Sequence, residues 1–348
     1  MYSVLRPLLF QINPERAHRL SLNLIRLAGS MAPLRGLLRT VYSVPSKPVK
    51  AFGLTFPNPI GLAAGYDKDG LGYRGLACLG FGHIEIGTVT PKPQPGNSNP
   101  RLFRIPEERA LINRLGFPGK GSQFVVARLS GYRPARCILG VNLGKNKDTP
   151  LENATEDYLH LLKVFAPKAD YLAINVSSPN TVGLRQLQAW QSLSGLLGAL
   201  AKERSRLQAE LNRRVPILVK LSPDLNEGEL ADALDVILDT EMDGIIATNT
   251  TVSRIGLQSP LANESGGLSG APLRERSTWL LRRINQLVDG KIPVVAVGGV
   301  MCAEDVKEKI DAGATLVQIY TGLVYRGPGL VKEILLELAG QGISNSNR

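Results

Sequence analysis

The sequence predicts an α/β protein built on a (β/α)8 TIM barrel, with a small amphipathic helical extension at its N-terminus. Eight short apolar runs follow residue 58, and amphipathic stretches of helical length separate most of them. The alternation extends over roughly 280 residues, and barrels of this kind need about 250. The excess fits two insertions, residues 91–117 and 251–273, which follow predicted strands and so belong at the carboxyl end of the barrel. A doubly wound open sheet is the alternative architecture.

The eight predicted strands are short apolar runs bounded by turn residues. They cover Ile60–Ala64, His83–Thr90, Cys137–Leu143, Tyr171–Val176, Pro216–Leu221, Gly244–Asn249, Pro293–Gly298 and Leu316–Tyr320. The clearest predicted helices cover Leu151–Ala166, Ala189–Asn212, Gly228–Leu238, Arg274–Val288 and Ala303–Ala312. Two strand-like runs flank Pro106–Glu107–Glu108 in the first insertion, whereas the second insertion is rich in Ser, Gly and Asn.

Four parts of the chain are predicted from these patterns. Residues 1–40 form the helical extension, 41–58 a connector with a hairpin under the barrel, 59–340 the barrel, and 341–348 a tail. In the extension, Met1–Ile12 and Pro14–Ala28 predict two amphipathic helices, and Met31–Val41 the start of a third turn. On the second helix Ala17, Leu20, Leu24 and Leu27 share one face, and Arg16, Arg19, Asn23 and Arg26 share another.

The charge of the chain is concentrated in this extension. The net charge is +11, and the first 50 residues hold eight Lys and Arg against one acid, Glu15. One interpretation is a helical pair packed on the barrel with a solvated basic face. The other is a basic amphipathic patch on an anionic membrane, which the leucines Leu8, Leu9, Leu37 and Leu38 favour because they look exposed. A nucleic-acid-binding protein would spread its basic residues over the folded body.

Other classes of site lack support in the sequence. The three cysteines lie far apart, which is typical of a reduced cytoplasmic protein, and the three histidines, His18, His83 and His160, have no metal-ligand spacing. No apolar run reaches transmembrane length. Gly70–Gly75 reads GLGYRG, a formal dinucleotide fingerprint, but no strand runs directly into its first glycine and Glu85 comes too soon. We interpret these glycines as a loose helix start.

Polar residues cluster at the ends of the predicted strands. In Tyr171–Thr181 an apolar run ends in uncharged amides and hydroxyls, a set that suits a planar, partly anionic heterocycle or forms an ordinary turn. Lys220 lies between Val219 and Leu221, so its side chain must point into the barrel or remain unpaired. Further polar strand ends are Asp67, Lys68, Thr88, Asn142, Thr248, Asn249, Thr250, Tyr320 and Thr321. With glycines after strands seven and eight, they predict a phosphorylated cofactor across the barrel mouth.

Several long motifs resemble dihydroorotate dehydrogenase, an FMN-dependent enzyme family of pyrimidine synthesis. The resemblance is to its class 2 branch, which is membrane-associated and reduces quinone. The motifs are NPERAHRL, GLAAGYDKDG, EIGTVTPKPQPGNSNPRLFR, LINRLGF, GVNLGKNK, NVSSPNT, VKLSPD, ATNTT, GGLSGAPL, VGGV and QIYTG. Class 1 members carry a catalytic cysteine in the loop after strand four, where this chain has Ser178, and they lack the helical extension.

The resemblance implies which residues contact each ligand. Ser178 is implied as the catalytic base. Implied FMN contacts are Ala64, Gly65, Tyr66, Asp67, Lys68, Thr88, Asn142, Asn175, Lys220, Thr248, Gly270, Gly299, Tyr320 and Thr321. Implied substrate contacts are Lys68, Asn113, Arg114, Leu115, Gly116, Phe117, Asn175, Asn180, Asn249 and Thr250. His18 and Arg104 are implied to line the access path of the quinone.

The implied reaction oxidises (S)-dihydroorotate to orotate and passes electrons to ubiquinone or menaquinone. We expect a monomer that lies peripherally on the cytoplasmic face of the inner membrane, with no metal and no nucleic-acid partner. Three alternatives stay open. The chain could be a soluble FMN dehydrogenase with another acceptor, a phosphate-binding aldolase with Lys220 as Schiff base, or a non-catalytic membrane-binding module.

Overall fold

The computed structural model describes residues 2–44, 46–131, 133–134 and 137–340, so the predicted tail 341–348 lies outside the described residues. Within these ranges the strands are β1 (Val49–Ala51), β2 (Leu54–Phe56), β3 (Ile60–Leu62), β4 (His83–Val89), β5 (Leu102–Ile105), β6 (Ala110–Asn113), β7 (Ile138–Leu143), β8 (Tyr171–Asn175), β9 (Ile217–Leu221), β10 (Gly244–Ala247), β11 (Gly267–Gly270), β12 (Val294–Val297) and β13 (Leu316–Ile319).

Eight parallel strands close into a barrel in the order β3-β4-β7-β8-β9-β10-β12-β13. Each predicted apolar run contains one barrel strand. The closing pair is β13 with β3, in which Val317 lies opposite Ile60 and Ile319 opposite Leu62. A doubly wound sheet would have two open edges, so closure excludes that alternative.

The helices lie between the barrel strands and at the two ends of the chain. They are α1 (Tyr2–Gln11), α2 (Pro14–Ser30), α3 (Ala32–Val41), α4 (Tyr73–Leu76), α5 (Gly121–Leu129), α6 (Ala154–Phe165), α7 (Trp190–Leu211), α8 (Glu227–Asp239), α9 (Arg274–Val288), α10 (Ala303–Asp311), α11 (Thr321–Arg326) and α12 (Leu330–Leu338). The third N-terminal segment, predicted only as the start of a turn, is a helix of 10 residues. Pro33 lies near the start of this helix. A proline suits the first turn because the N–H groups there have no partner within the helix.

The β1–β2 hairpin closes the amino end of the barrel. Phe56 is fully buried and packs with Tyr171, Leu218 and Ile246, whose side chains fill the barrel interior. His83 lies between the rings of Phe56 and Tyr171, with centroids 5.3 and 6.4 Å away. Burial lowers the pKa of His83 to about 3, so it is neutral and belongs to the packing.

The two insertions pair with each other above the carboxyl end of the barrel. Strands β5, β6 and β11 form an antiparallel sheet in the order β11-β6-β5. Asn113 at the end of β6 lies opposite Gly267 of β11, although 154 residues separate them. The strand-like runs of the first insertion were predicted, but β11 and its pairing were not. This sheet forms one wall above the barrel mouth.

The N-terminal helices attach to the barrel through a close backbone contact. A side chain at Gly75 in α4 would meet the Ile25 carbonyl oxygen at 2.2 Å, and one at Gly29 would meet the Gly75 nitrogen at 2.4 Å. A side chain at Gly72 would meet Leu22 at 2.6 Å. Gly72 and Gly75 of the GLGYRG segment therefore let α2 approach α4, so these glycines serve helix packing.

A stripe of large apolar side chains on these three helices is exposed. The apolar stripe comprises Val4, Leu5, Leu8, Leu20, Leu24, Leu27, Met31, Leu37 and Val41, each at least 46% exposed. Leu8 and Leu37 match the prediction. Leu9 and Leu38 do not, because both are only partly exposed and face inward to a cavity. No described helix has the length and hydropathy needed to span a bilayer.

Gly75→Ala should separate α2 from α4 while leaving the barrel intact. The new methyl group meets backbone that cannot rotate away, and such overpacking typically costs about 1–3 kcal/mol. We expect a lower melting temperature and faster proteolysis within residues 2–41. Gly198→Ala is the matched control, because nothing lies within 4 Å of that position in α7 and alanine favours a helix. Equal behaviour of the two variants would contradict the contact.

Candidate active site

A cleft at the carboxyl end of the barrel collects most of the predicted site residues. It encloses about 970 Å³ of space, part of it open to solvent. The predicted residues that line it are Ala64, Gly65, Lys68, Thr88, Asn113, Leu115, Gly116, Phe117, Asn175, Ser178, Asn180, Lys220, Thr248, Asn249, Thr250, Gly270, Gly299, Tyr320 and Thr321. Parallel strands place all their carboxyl ends at one edge, which is why residues far apart in sequence meet here.

Four of the residues implied to contact FMN or the substrate do not line this cleft. The Asp67 carboxylate is fully buried and accepts from the backbone N–H groups of Leu71 and Gly72, both at 2.8 Å. Burial raises the pKa of Asp67 to about 6. Asn142 lies behind the cleft wall, and Tyr66 lines a second cavity. Arg114 forms an ion pair with Glu264 at 2.5 Å and does not line the cleft.

A network of amides and hydroxyls fixes the floor of the cleft. Asn175 donates to the Thr88 hydroxyl at 2.9 Å and to the Asn142 amide oxygen at 3.1 Å. Its own amide oxygen accepts from Asn249 at 3.2 Å and from the Ser177 hydroxyl at 3.2 Å. Because these amides hold each other in fixed orientations, the groups they present to a ligand are preorganised.

Lys220 points into the cleft without a hydrogen-bond partner among the described residues. Its side chain is only 6% exposed, and its nearest counter-charge is the Glu85 carboxylate, 4.0 Å from Nζ. Burial lowers the pKa of Lys220, and the Glu85 charge opposes that shift. Three N–H donors on a side chain with so little exposure require an acceptor, so the lysine fits an anionic or carbonyl-rich ligand.

Glu85 is a fully buried carboxylate for which the sequence predicted no role in the site. It accepts from Asn142 at 2.8 Å, from the Tyr171 hydroxyl at 3.0 Å and from Gln318 at 2.9 Å. The signal in the sequence is an acid inside the apolar run of β4, while Lys220 lies in another strand of the same barrel. Gln318 and Ser269 also line the cleft and were not predicted. Gly298, one of the glycines predicted at the end of strand seven, lines it as well.

Lys68 and Ser178 both line the cleft. Lys68 Nζ donates to the Gly65 carbonyl at 2.7 Å. Burial lowers the pKa of Lys68 to about 8, and the nearby Asp69 and Glu15 carboxylates oppose the shift, so the lysine is mostly charged at neutral pH. Ser178 lies in the loop after β8, is 5% exposed, and accepts from the Asn180 backbone N–H at 3.2 Å.

Glycines make the wall after β11 and β12 thin. Gly270 and Gly299 have φ of +98° and +78°, a region that side chains rarely adopt. A side chain at Gly299 would also meet the Arg274 backbone at 2.4 Å. Exposed backbone amides at this place in a barrel suit a phosphate group.

A second cavity lies between the barrel and the N-terminal helices. It encloses about 1270 Å³, including space open to solvent, and His18 and Arg104 both line it. Leu24 of the apolar stripe also lines it, so this cavity reaches the exposed apolar surface. We call it the N-terminal cavity.

Tyr320 lines both cavities and therefore forms part of the wall between them. The Tyr66 ring packs edge-on against Tyr320 at 6.0 Å, and His18 packs against Tyr66 at 4.9 Å. Burial lowers the pKa of His18 to about 4, and the Lys68 charge lowers it further, so His18 is neutral. A row of three rings thus joins the N-terminal cavity to the cleft.

Arg104 anchors α1 as well as lining the N-terminal cavity. Its guanidinium donates to the carbonyl oxygens of Leu9 at 3.0 Å and Phe10 at 3.2 Å, and also to that of Ile12. Carbonyls at a helix end have no partner within the helix, so a cation there satisfies them. Arg104 consequently supports the position of α1.

Comparison with known proteins decides the family. The profile described as dihydroorotate dehydrogenase matches residues 47–341. The chain belongs to the dihydroorotate dehydrogenase family. It is 51% identical to a dihydroorotate dehydrogenase (quinone) of Halorhodospira halophila, over 96% of each chain. The corresponding protein of Cellvibrio japonicus is 49% identical, over 95% of this chain and 96% of that one. A crystal structure of the Eimeria tenella enzyme in complex with ferulenol superposes with a TM-score of 0.81 at 36% identity, covering 96% of each chain.

Dihydroorotate dehydrogenases are generally flavin-dependent, and the cleft fits such a group. The unpartnered Lys220 ammonium is available to an electron-rich ring, and the amide and hydroxyl network offers donors and acceptors to ring edges. Gly270 and Gly299 line the cleft and have no side chains to cover their backbone amides. The residues that line the cleft thus fit a flavin.

Lys220→Met should lower the flavin content of the purified protein, because it removes a cleft ammonium that has no hydrogen-bond partner among the described residues. The variant also leaves Glu85 buried without its counter-charge, which is destabilising by itself. The double variant Lys220→Met/Glu85→Gln removes that problem and should still lack flavin. Lys145→Met is the matched control, since Lys145 is equally buried but donates to loop carbonyls outside the cleft. Full flavin absorbance in the double variant would contradict the assignment.

Proposed function

We propose that this chain oxidises (S)-dihydroorotate to orotate in pyrimidine biosynthesis, with bound FMN as hydride acceptor and a membrane quinone as final electron acceptor. The observation that supports this most is the ring wall of Tyr320, which separates a polar cleft from an apolar cavity that reaches the exposed apolar stripe. A polar substrate and an apolar acceptor can therefore bind on the two sides of one cofactor without meeting.

The substrate is assigned to the part of the cleft under the insertion sheet. Lys68 supplies the positive charge for its carboxylate, and the amides of Asn113, Asn180 and Asn249 match the donors and acceptors of its imide edges. Asn180 donates to the Asn113 amide oxygen at 3.2 Å, so each holds the other in place. Further substrate contacts are proposed for Arg114, Leu115, Gly116, Phe117, Asn175 and Thr250. Arg114 is paired with Glu264 and does not line the cleft, so it would act on the substrate through its neighbours.

FMN is assigned to the strand ends and the glycine wall. When bound, it supplies the hydride-accepting chemistry that no side chain has. Lys220 would hold a positive charge against its electron-rich edge, and Gly270, Gly299 and Thr321 would receive its phosphate. The other proposed contacts are Ala64, Gly65, Tyr66, Asp67, Lys68, Thr88, Asn142, Asn175, Thr248 and Tyr320. Of these, Tyr66, Asp67 and Asn142 would act through neighbours, since they do not line the cleft.

Ser178 is assigned as the base that removes the C5 proton of dihydroorotate. A serine hydroxyl has a high pKa, so it needs a path for its own proton, for which Thr181 and a water are the candidates. Thr181 is buried next to the loop but does not hydrogen-bond to the Ser178 hydroxyl. The burial of Ser178 excludes bulk water and so strengthens the effect of any charge that develops beside it.

Ser178→Ala should keep its flavin but reduce the rate of flavin bleaching by dihydroorotate. Loss of a positioned base typically costs about 10²–10⁴-fold. Ser178→Cys should retain more activity than Ser178→Ala, because a thiolate forms more readily than an alkoxide. Stopped-flow absorbance on the three proteins measures this order, and a normal rate in Ser178→Ala would remove Ser178 from the mechanism.

The N-terminal helices are assigned to an anionic membrane surface and to quinone access. Their apolar stripe is suited to the acyl boundary, and the basic residues of the first 50 positions are suited to anionic headgroups. We place the protein peripherally on the cytoplasmic face of the inner membrane, as a monomer, with ubiquinone or menaquinone in the N-terminal cavity. Residues 1–40 would then be the access module and 59–340 the catalytic one.

A soluble FMN dehydrogenase with another acceptor is the second candidate, in which the helices only cover the barrel. The exposed stripe argues against it, since a mere cover would bury its apolar face. An aldolase with Lys220 as Schiff base is a third candidate. Such an enzyme would be colourless, whereas bound flavin makes the purified protein yellow.

His18→Ala should slow the quinone step and leave the substrate step near normal. The imidazole lines the N-terminal cavity and packs on Tyr66, away from the cleft. Loss of one such contact corresponds to roughly a tenfold slower reoxidation by quinone. His160→Ala is the control, because His160 contacts Ser122 and lines neither cavity. Deletion of residues 2–40 should have the larger effect, with flavin reduction retained. Full quinone turnover in the deletion would favour the soluble alternative.

A further inference from the structure

Lys309 is a fully buried lysine that the proposed reaction does not use. It lies in α10, on the outer side of the loop that follows β12, and its side chain has no exposed surface. A lysine is almost never buried completely unless all of its donors are satisfied. Its surroundings therefore indicate what the charge holds in place.

All three protons of the Lys309 ammonium have acceptors in α9. Nζ lies 2.6 Å from the Ser277 hydroxyl, 2.6 Å from the Thr278 hydroxyl and 3.2 Å from the Arg274 carbonyl oxygen. Because the lysine donates to both hydroxyls, each hydroxyl must direct its own proton elsewhere.

The Ser277 proton is directed to the Gly298 carbonyl. The Ser277 oxygen lies 3.0 Å from the carbonyl oxygens of both Gly298 and Arg274. Arg274 already accepts from Thr278 at 2.9 Å and from Lys309, whereas Ser277 is the one donor to Gly298 among the described residues. The relay therefore runs from Lys309 through Ser277 to Gly298.

The Gly298 carbonyl fixes the direction of the next amide. In a trans peptide the C=O and the following N–H point in opposite directions. With its C=O drawn towards α9, the peptide aims the Gly299 N–H at the cleft, which Gly298 and Gly299 both line. Within the described part of the chain, nothing accepts a hydrogen bond from that N–H. Both residues are glycines with positive φ, so neither has a side chain that restrains the peptide between them.

We propose that Lys309 and Ser277 are positioning residues that hold the Gly299 amide ready for the phosphate group of the flavin nucleotide. This rests on the proposed function, which assigns that phosphate to the glycine wall. The pair acts from outside the cleft and touches neither the ring nor the substrate. Its effect should consequently depend on the phosphate and not on the isoalloxazine ring.

The test compares FMN with riboflavin, which has the same ring but no phosphate. Flavin-stripped full-length protein is titrated with each, and binding is followed by the quenching of flavin fluorescence. Ser277→Ala and Lys309→Met should each raise the Kd for FMN by about tenfold, which is 1.4 kcal/mol. Their Kd for riboflavin should stay within about twofold of the wild-type value. The double variant should be no weaker than the worse single variant, because both act on one path.

Thr278→Val is the matched control. It removes a hydrogen bond to Lys309 in the same helix, but the Thr278 hydroxyl donates to Arg274 and does not reach Gly298. Its ratio of FMN to riboflavin affinity should equal that of the wild type. If Lys309→Met does not fold, Ser277→Ala still removes the hydroxyl that contacts Gly298 and carries the same expectation.

Equal weakening of FMN and riboflavin by Ser277→Ala would show a general structural role and overturn the proposal, as would an unchanged Kd for FMN. The proposal would also be overturned if the wild-type chain bound riboflavin more tightly than FMN. A wild-type chain that binds neither flavin would contradict the proposed function itself, which distinguishes that failure from failure of the relay.

Discussion

The burial of a positive charge in the barrel is the constraint on which the site depends. Lys220 cannot stay charged in an apolar interior without compensation, and Glu85 supplies it at 4.0 Å. Glu85 is in turn held by Asn142, Tyr171 and Gln318, which lie on three further strands. The amides of the cleft floor are connected to the same network through Asn142. A ligand that accepts hydrogen bonds from Lys220 therefore binds to a network in which Glu85 and the amides of the cleft floor are already hydrogen-bonded.

The second organising feature is the separation of a polar and an apolar cavity by aromatic side chains. Tyr320 belongs to both cavities, and Tyr66 and His18 continue the row into the N-terminal cavity. The separation requires the N-terminal helices to stay close to the barrel. Glycine contacts between α2 and α4, the Glu15–Arg101 ion pair at 2.7 Å and the Arg104 cap of α1 hold them there. Attachment through small backbone contacts leaves the apolar stripe on the outer face.

For several residues, the role implied by the family resemblance differs from the contacts that the structure shows. Asp67 stands in a motif implied to bind FMN, yet its carboxylate caps the backbone at Leu71 and Gly72. Arg104 is implied to line the quinone path. It lines the N-terminal cavity, and its guanidinium binds the carbonyls of Leu9 and Phe10 in α1 and of Ile12 just after it. Substitution of Arg104 would disturb α1 and the cavity together, so His18 reports on quinone access more cleanly.

The sequence by itself determined the barrel, because eight apolar runs with helices between them can pack in few other ways. It also located the polar strand ends, because the carboxyl ends of parallel strands lie at one edge of the sheet. It also found the charge asymmetry of the first 50 residues. Only the tertiary structure decided which leucines face out, that β6 pairs with β11 across 154 residues, and that Glu85 lies beside Lys220. Those outcomes depend on the relative placement of distant segments. Periodicity along the chain carries no information about that placement. The hydrogen bonds from Lys309 through Ser277 to Gly298 therefore could not be predicted from the sequence.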